Sequence, residues 1–246
     1  MLYIQPNTFA EEPHVVAGFS TRQGGVSGPP FHSLNLGLST ADHSDDVHEN
    51  RKRLFERAGF SVDQLAITGQ VHGTEVLDVD APGLYVGYDG MVTRAPNLLL
   101  CLSAADCASV LIADPVNRVI GACHAGWRGT VGRITVKTVE RMLAHGAALE
   151  NLKAYVSPCI SASQFEVGPE VASQFAPAFV CSIPGKEKPH VDLKKALQFQ
   201  LLEVGIQENA IEISPHCTFT ETDRFFSHRA EHGKTGRLMG FIGLKT

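Results

Sequence analysis

The stretch NLLLCLSAADCASVLIADPVNRVIGACHAGWRGT, residues 97–130, decides how this chain is read. Three short apolar runs, 97–104, 109–114 and 118–125, are each bounded by turn residues, which is the pattern of buried strands. Beyond them Val131, Ile134, Thr135, Thr138, Val139 and Met142 recur at helical spacing and end before Gly146, so Trp127 and Arg128 sit near a helix N-terminus. The segment CHAGWRGT (123–130) is therefore a strand-to-helix turn. Its mixture of histidine, glycines, the only tryptophan and an arginine suits neither an apolar core nor a solvated loop, and marks a candidate site.

Strands and helices continue to alternate on either side. Residues 44–58 read as a helix, with Ser44 as N-cap, acids in the first turn and Gly59 as the stop. Residues 152–157 read as a strand, and Pro169 suits the first turn of a short helix. A clearer helix follows, from Asp192 as cap to Gly205 as stop. Three strand-like runs close the chain, at 211–214, 224–229 and 237–244. There is no repeat, low-complexity stretch or linker, so residues 1–246 are expected to form a single mixed α/β domain, its topology open.

With 246 residues, 43% apolar and 19% charged, the chain has the makeup of a globular protein able to bury a large core. The formal charge of −5 and the lack of any Lys/Arg cluster leave no footprint for nucleic acid, and point to small substrates or a protein partner. No run has the length of a membrane span, and the N-terminus shows no basic region followed by an apolar stretch, so a cytoplasmic protein is expected. Nothing in the sequence indicates an oligomeric state.

In that compartment the six cysteines, Cys101, Cys107, Cys123, Cys159, Cys181 and Cys217, are expected to be reduced, each a core residue, a ligand or a nucleophile. No C-x-x-C, H-x-H or H-E-x-x-H occurs, so any metal site must be assembled from distant segments. Three strand ends or turns offer candidates: His72 in QVHGTEV, Cys107 in SAADCASV and His124 in CHAGWRG. Singly each is also a turn histidine or a buried cysteine. Two imidazoles and a thiolate together are good zinc ligands, and three of them leave one tetrahedral position open, as in catalytic sites. Cys123, next to His124 in a strand, should point to the opposite face and serve the core.

Ordered segments along nearly the whole chain resemble the YfiH family of laccase-domain proteins: GFSTRQGGVSGPPFHSLNLG (18–37), ENRKRL (49–54), QVHG (70–73), ADC (105–107), HAGWRGT (124–130), FEVG (165–168) and TGR (235–237). Proteins of that family are described as zinc-dependent purine nucleoside phosphorylases, formerly as polyphenol oxidases. The resemblance implies that His72, Cys107 and His124 hold a zinc in a pocket also lined by the glycine-rich N-terminal segment and the HAGWRG turn. The chain departs from the family pattern at Ser39, Ser157, Ser161 and the SHRA of 227–230, so His228 and Ser39 receive no role.

Further candidates follow from side-chain chemistry. Arg22 and Arg128 suit a phosphate or a developing anion, with surface salt bridging as the alternative. Asn35 and Gln70 could orient a sugar hydroxyl or base edge. Asp106 suits a general base, an acceptor that orients a ligating histidine, or a cap. Cys107 could instead attack substrate with His124 as its base. Three functions compete. The first is zinc-assisted cleavage of adenosine, inosine or methylthioadenosine with phosphate as acceptor, with adenosine deamination as a further activity. The second is a zinc hydrolase acting on an amide or peptide bond, including a cell-wall precursor. The third is a copper-dependent polyphenol oxidase, against which the lack of any H-x-H pair speaks. A zinc that only ties strands together is the structural alternative.

Overall fold

In the computed structural model, which describes residues 1–246, the three apolar runs at the centre of the sequence are strands, but the first belongs to one sheet and the other two to a second. The elements in chain order are β1 (Tyr3–Ile4), β2 (Val15–Ser20), α1 (Ser44–Arg57), β3 (Leu65–Gly69), β4 (Val76–Asp78), β5 (Gly83–Val86), β6 (Gly90–Thr93), β7 (Leu99–Ala104), β8 (Ala108–Asp114), β9 (Val119–Ala125), α2 (Trp127–Val131), α3 (Ile134–Ala144), β10 (Lys153–Val156), α4 (Pro169–Ala172), β11 (Val180–Cys181), β12 (His190–Val191), α5 (Leu193–Glu203), β13 (Ile211–Ile213) and β14 (Leu238–Leu244). One mixed six-stranded sheet has the order β1-β2-β14-β7-β3-β5, the other β13-β10-β8-β9-β6-β4. The short pair β11-β12 stands apart.

The chain passes from the first sheet to the second between Ala104 and Ala108, and residue parity shows why. Leu98, Leu100, Leu102 and Ala104 point between the sheets, where they meet Leu111, Ala113, Ile120 and Ala122. Leu99 and Cys101 point the other way, onto Leu54 and Phe55 of α1. On the far side of the second sheet Val110, Ile112, Val119 and Cys123 pack against Val139 and Met142 of α3 and Leu197 and Leu201 of α5. Both faces of both sheets are thus covered, which is why these strands read as unbroken apolar runs rather than alternating ones. The layers run helix, sheet, sheet, helices. Burying each such Leu or Val contributes about 1.5–3 kcal/mol, and the covered faces set the register.

Local signals account for most element ends. Asp192 Oδ1 accepts from the Lys195 N–H at 3.0 Å and caps α5, and Gly205, at φ 103, follows its end. Helix α1 begins one residue earlier than a Ser44 cap implies: His43 occupies the cap position, with no side-chain bond, and Asp45 and Asp46 supply the negative charge of the first turn. The run expected as one helix after Gly126 is two, because Gly132 packs against Thr74 and Arg133 takes a left-handed φ of 61° before α3.

Residues 224–229 are not a strand. Phe225 and Phe226 are adjacent yet both fully buried in the core between the sheets, an arrangement that the alternation of a strand forbids. Turn hydrogen bonds hold them there, from Phe225 N to Glu221 O and from Glu231 N to Ser227 O. No helix is long and apolar enough to cross a membrane.

A candidate metal centre at the crossover between the sheets

Cys107 lies on the link that carries the chain from β7 to β8, directly after Asp106, whose φ of 85° makes the sharp turn. His124 is near the end of β9, beside the start of β8 in the antiparallel register Ser109↔His124. Alternation turns its ring between the sheets, while Cys123 points to the helices, its Sγ 4.0 Å from Thr135 Oγ1 and its thiol pushed up by burial to about 11. His72 sits in the turn between β3 and β4 with a left-handed φ of 59°.

The side chains of His72, Cys107 and His124 bring one ligand atom each to within 4.8 Å of one another. The two imidazole rings meet edge to face, their centroids 5.0 Å apart at 80°. Gly126 is required by this approach, since a Cβ there would lie 2.8 Å from Cys107 Sγ.

A fourth residue organises the cluster. Asp89, fully buried just before β6, accepts the His124 Nδ1–H at 2.8 Å on Oδ1. The same carboxylate accepts the backbone N–H groups of Val71 (3.0 Å), His72 (3.1 Å) and Gly73 (2.8 Å), so it fixes the turn that carries His72. The His124 N–H in turn donates to Asp89 O at 2.7 Å, continuing the β6–β9 ladder. With Nδ1 committed, His124 keeps Nε2 for a metal.

Charge agrees with that wiring. Burial opposes ionisation of Cys107, but the neighbouring His124 and His72 outweigh it and bring the thiol down to about 6. Burial also opposes the imidazolium of His124, yet Cys107 and Asp89 hold its pKa up at about 9. For Asp89, burial is overcome by His124 and the backbone donors of Gly73 and Val71, and its carboxyl stays below its usual range.

The three residues open onto a cleft of about 740 Å³, a size usual for small-molecule sites. Of the further residues singled out in the sequence, Gln70 and Asp106 line it. The Gln70 amide is already occupied, Nε2 donating to Ser103 O and Oε1 accepting Ser103 N–H, each at 2.8 Å, which pins the His72 turn to β7. Asp106 accepts from Thr218 Oγ1 and from Arg229 N–H, each at 2.7 Å, and from no ligating histidine. The orienting acceptor is Asp89 instead. Ser39 and His228 also line the cleft.

Arg22, Asn35 and Arg128 do not line it. Arg22 donates to His32 O (2.9 Å), Thr222 O (2.7 Å) and Glu231 Oε1 (3.1 Å) and stacks over Phe226, so it ties the N-terminal loop to the segment around residue 225. Asn35 is buried and braces its own loop, donating to Thr40 Oγ1 (2.9 Å) and Asp42 Oδ2 (2.8 Å). Arg128 is exposed, its guanidinium 4.3 Å over the Trp127 ring. The cationic groups that line the cleft are Arg51, Arg229 and Arg237. Arg51 and Arg237 stand in the ENRKRL and TGR segments, whose neighbouring residues carry no signal of a binding role. Asp89 had no local signal beyond a carboxylate before a glycine.

The sequence model of the family described as multi-copper polyphenol oxidoreductase laccase matches residues 16–245. A purine nucleoside phosphorylase of Deinococcus radiodurans is 44% identical over 231 residues, spanning 92% of this chain and 88% of its own. The purine nucleoside phosphorylase YfiH of Escherichia coli is 37% identical over 235 residues, spanning 94% of each. The crystal structure of YlmD from Geobacillus stearothermophilus matches with a TM-score of 0.92 at 31% identity, over 100% of this chain and 97% of that one. On sequence and fold alike, the chain belongs to the multi-copper polyphenol oxidoreductase laccase family, with YfiH and YlmD among its relatives.

Proposed function

We propose that this protein is a zinc-dependent purine nucleoside phosphorylase. The reading is carried by the convergence of His72, Cys107 and His124 on one cleft, in a chain whose relatives bear that name. The donor set fits zinc: two imidazoles, one oriented by Asp89, and a thiol lowered toward the thiolate that a metal needs. Zinc held by these three residues would keep one position open and act there as a Lewis acid.

In phosphorolysis a phosphate oxygen forms the new bond to the anomeric carbon, while the bond from that carbon to the purine nitrogen breaks and its electron pair leaves with the base. Phosphate is the nucleophile, so Cys107 serves as ligand and forms no covalent intermediate. Asp89 holds His124 in one tautomer and the His72 turn in one position, so the donors need no rearrangement on binding. Leu38, Ile67, Leu84 and Phe165 give the cleft apolar walls suited to a flat base. Adenosine, inosine and methylthioadenosine are the substrates proposed.

The test is to incubate the purified protein with adenosine or inosine, with and without phosphate, and to identify both products. Free base with ribose 1-phosphate, formed only with phosphate, is the expected result. Free ribose would replace phosphorolysis by hydrolysis, inosine from adenosine would add deamination, and an unchanged nucleoside would overturn the reading. Elemental analysis should find about one zinc per chain, in keeping with a site of this ligand set. Bound copper without zinc would overturn the metal assignment.

A further inference from the structure

Of the five partly buried arginines, Arg118 donates to the Lys245 carbonyl, and Arg22 and Arg224 each have a carboxylate partner, Glu231 at 3.1 Å and Glu221 at 2.9 Å. Arg51 and Arg237 have none. Arg51, on α1, donates Nε to Leu36 O at 2.8 Å and leaves both terminal nitrogens without a protein acceptor. Arg237, just before β14, donates Nη1 to Thr235 O (3.1 Å) and Gly236 O (3.0 Å), leaving Nε and Nη2 free. Both line the cleft that holds the metal ligands.

The two side chains are held against the same dipeptide. The Leu36 carbonyl accepts from Arg51, and the Leu36 N–H donates to Arg237 O at 3.0 Å. A Cβ on Gly37 would lie 2.6 Å from Arg237 Cγ, so glycine is what allows the arginine to cross there. The buried Asn35 adds a brace, its Oδ1 accepting the Arg237 N–H at 2.8 Å. Two guanidinium groups are therefore fixed by the backbone, with donors to spare and no carboxylate within salt-bridge distance. A partly desolvated cation without a counter-charge is costly unless an anion completes it. Burial lowers the pKa of both, and for Arg237 the charges of Asp106 and Cys107, which line the same cleft, counter that effect.

We infer that Arg51 and Arg237 form an anion subsite that binds inorganic phosphate beside the metal centre. The naming of phosphate as co-substrate rests on the phosphorolytic reading, whereas the anion site rests on the two unmatched arginines. The subsite supplies what Arg22 and Arg128 do not, a fork of fixed donors inside the cleft.

The experiment uses the metal-loaded protein, with inorganic phosphate and a nucleoside 5′-monophosphate as probes. Thermal unfolding and calorimetric titration report binding, and product analysis reports catalysis. Inorganic phosphate should raise the Tm of the wild type. In Arg51→Gln and Arg237→Gln that rise should vanish, with metal content unchanged, and the KM for phosphate should increase by about tenfold or more while the KM for nucleoside stays within about twofold. Arg51→Lys and Arg237→Lys keep the charge without the fork, so if a Gln variant fails to fold they decide the matter. Each should bind phosphate more weakly than the wild type.

Phosphate affinity unchanged in the folded variants would overturn the subsite and leave phosphorolysis standing if ribose 1-phosphate is still made. Phosphate binding lost in the variants, with no ribose 1-phosphate from the wild type, would retain the subsite and remove the phosphorolytic reading. A wild type that responds to the nucleoside monophosphate and not to inorganic phosphate would overturn the inference.

Discussion

The Asp89 carboxylate and the His124 imidazole are joined by a 2.8 Å hydrogen bond between two buried groups, and the carboxylate also gathers the backbone N–H groups of the turn carrying His72. One acid therefore positions two of the three candidate ligands. Its remaining links to the cluster are backbone contacts, so its influence on a metal acts through orientation rather than coordination.

Asp89→Asn should keep the size of the side chain but remove the charge that holds His124 in its tautomer. Metal affinity is expected to fall roughly 10- to 100-fold, the usual cost of losing a partner of a ligating histidine. Competition with a chromophoric chelator measures it. An unchanged affinity would show that His124 is oriented by its strand alone.

Cys107→Ala should lose bound metal and nucleoside cleavage together. Cys107→Asp should keep part of both, since a carboxylate also binds zinc. Metal analysis and product assay on the same preparations decide the matter, and a metal-replete but inactive Cys107→Ala protein would point to a nucleophilic cysteine instead.

Gly126→Ala places a methyl group 2.8 Å from Cys107 Sγ without demanding an unusual backbone angle. The sulfur must shift, and the expected result is a metal affinity lower by about tenfold or more in a protein that still folds. Circular dichroism with metal titration checks both halves. Full affinity would mean that the turn, rather than the ligand, gives way.

Asp114 supplies a pH test far from the centre. Its buried carboxylate accepts from Asn117 N, Asn117 Nδ2 and Ala148 N, all at 2.8 Å, closing the turn between β8 and β9. Burial would raise its pKa, but these donors outweigh it and hold the carboxyl below its usual value. A lowered folded pKa contributes stability that is complete above the unfolded value of about 3.9 and fades as pH falls through the folded one. Asp114→Ala should cost about 1–3 kcal/mol at pH 7 by leaving three part-buried donors unpaired. Urea unfolding of both proteins from pH 7 down to about pH 3 should show that gap narrowing with acid. A gap independent of pH would assign the loss to packing.

The sequence by itself determined the mixed α/β class, the three central strands, helices α1 and α5 with their stops, and the candidate ligands His72, Cys107 and His124, because burial periodicity, caps and donor chemistry are written in neighbouring residues. The tertiary structure alone decided that the chain changes sheets at Ala105–Cys107, that Phe225 and Phe226 enter the core through a turn, and that Asp89 rather than Asp106 orients His124. It also decided that Arg22 braces a loop while Arg51 and Arg237 face the cleft. Periodicity tells which face of a strand is apolar, but not which sheet covers it. Whether a buried polar group is spent on a neighbour or left for a ligand depends on partners far away in the chain, as with Asp89 and His124, 35 residues apart and joined only when β6 pairs with β9.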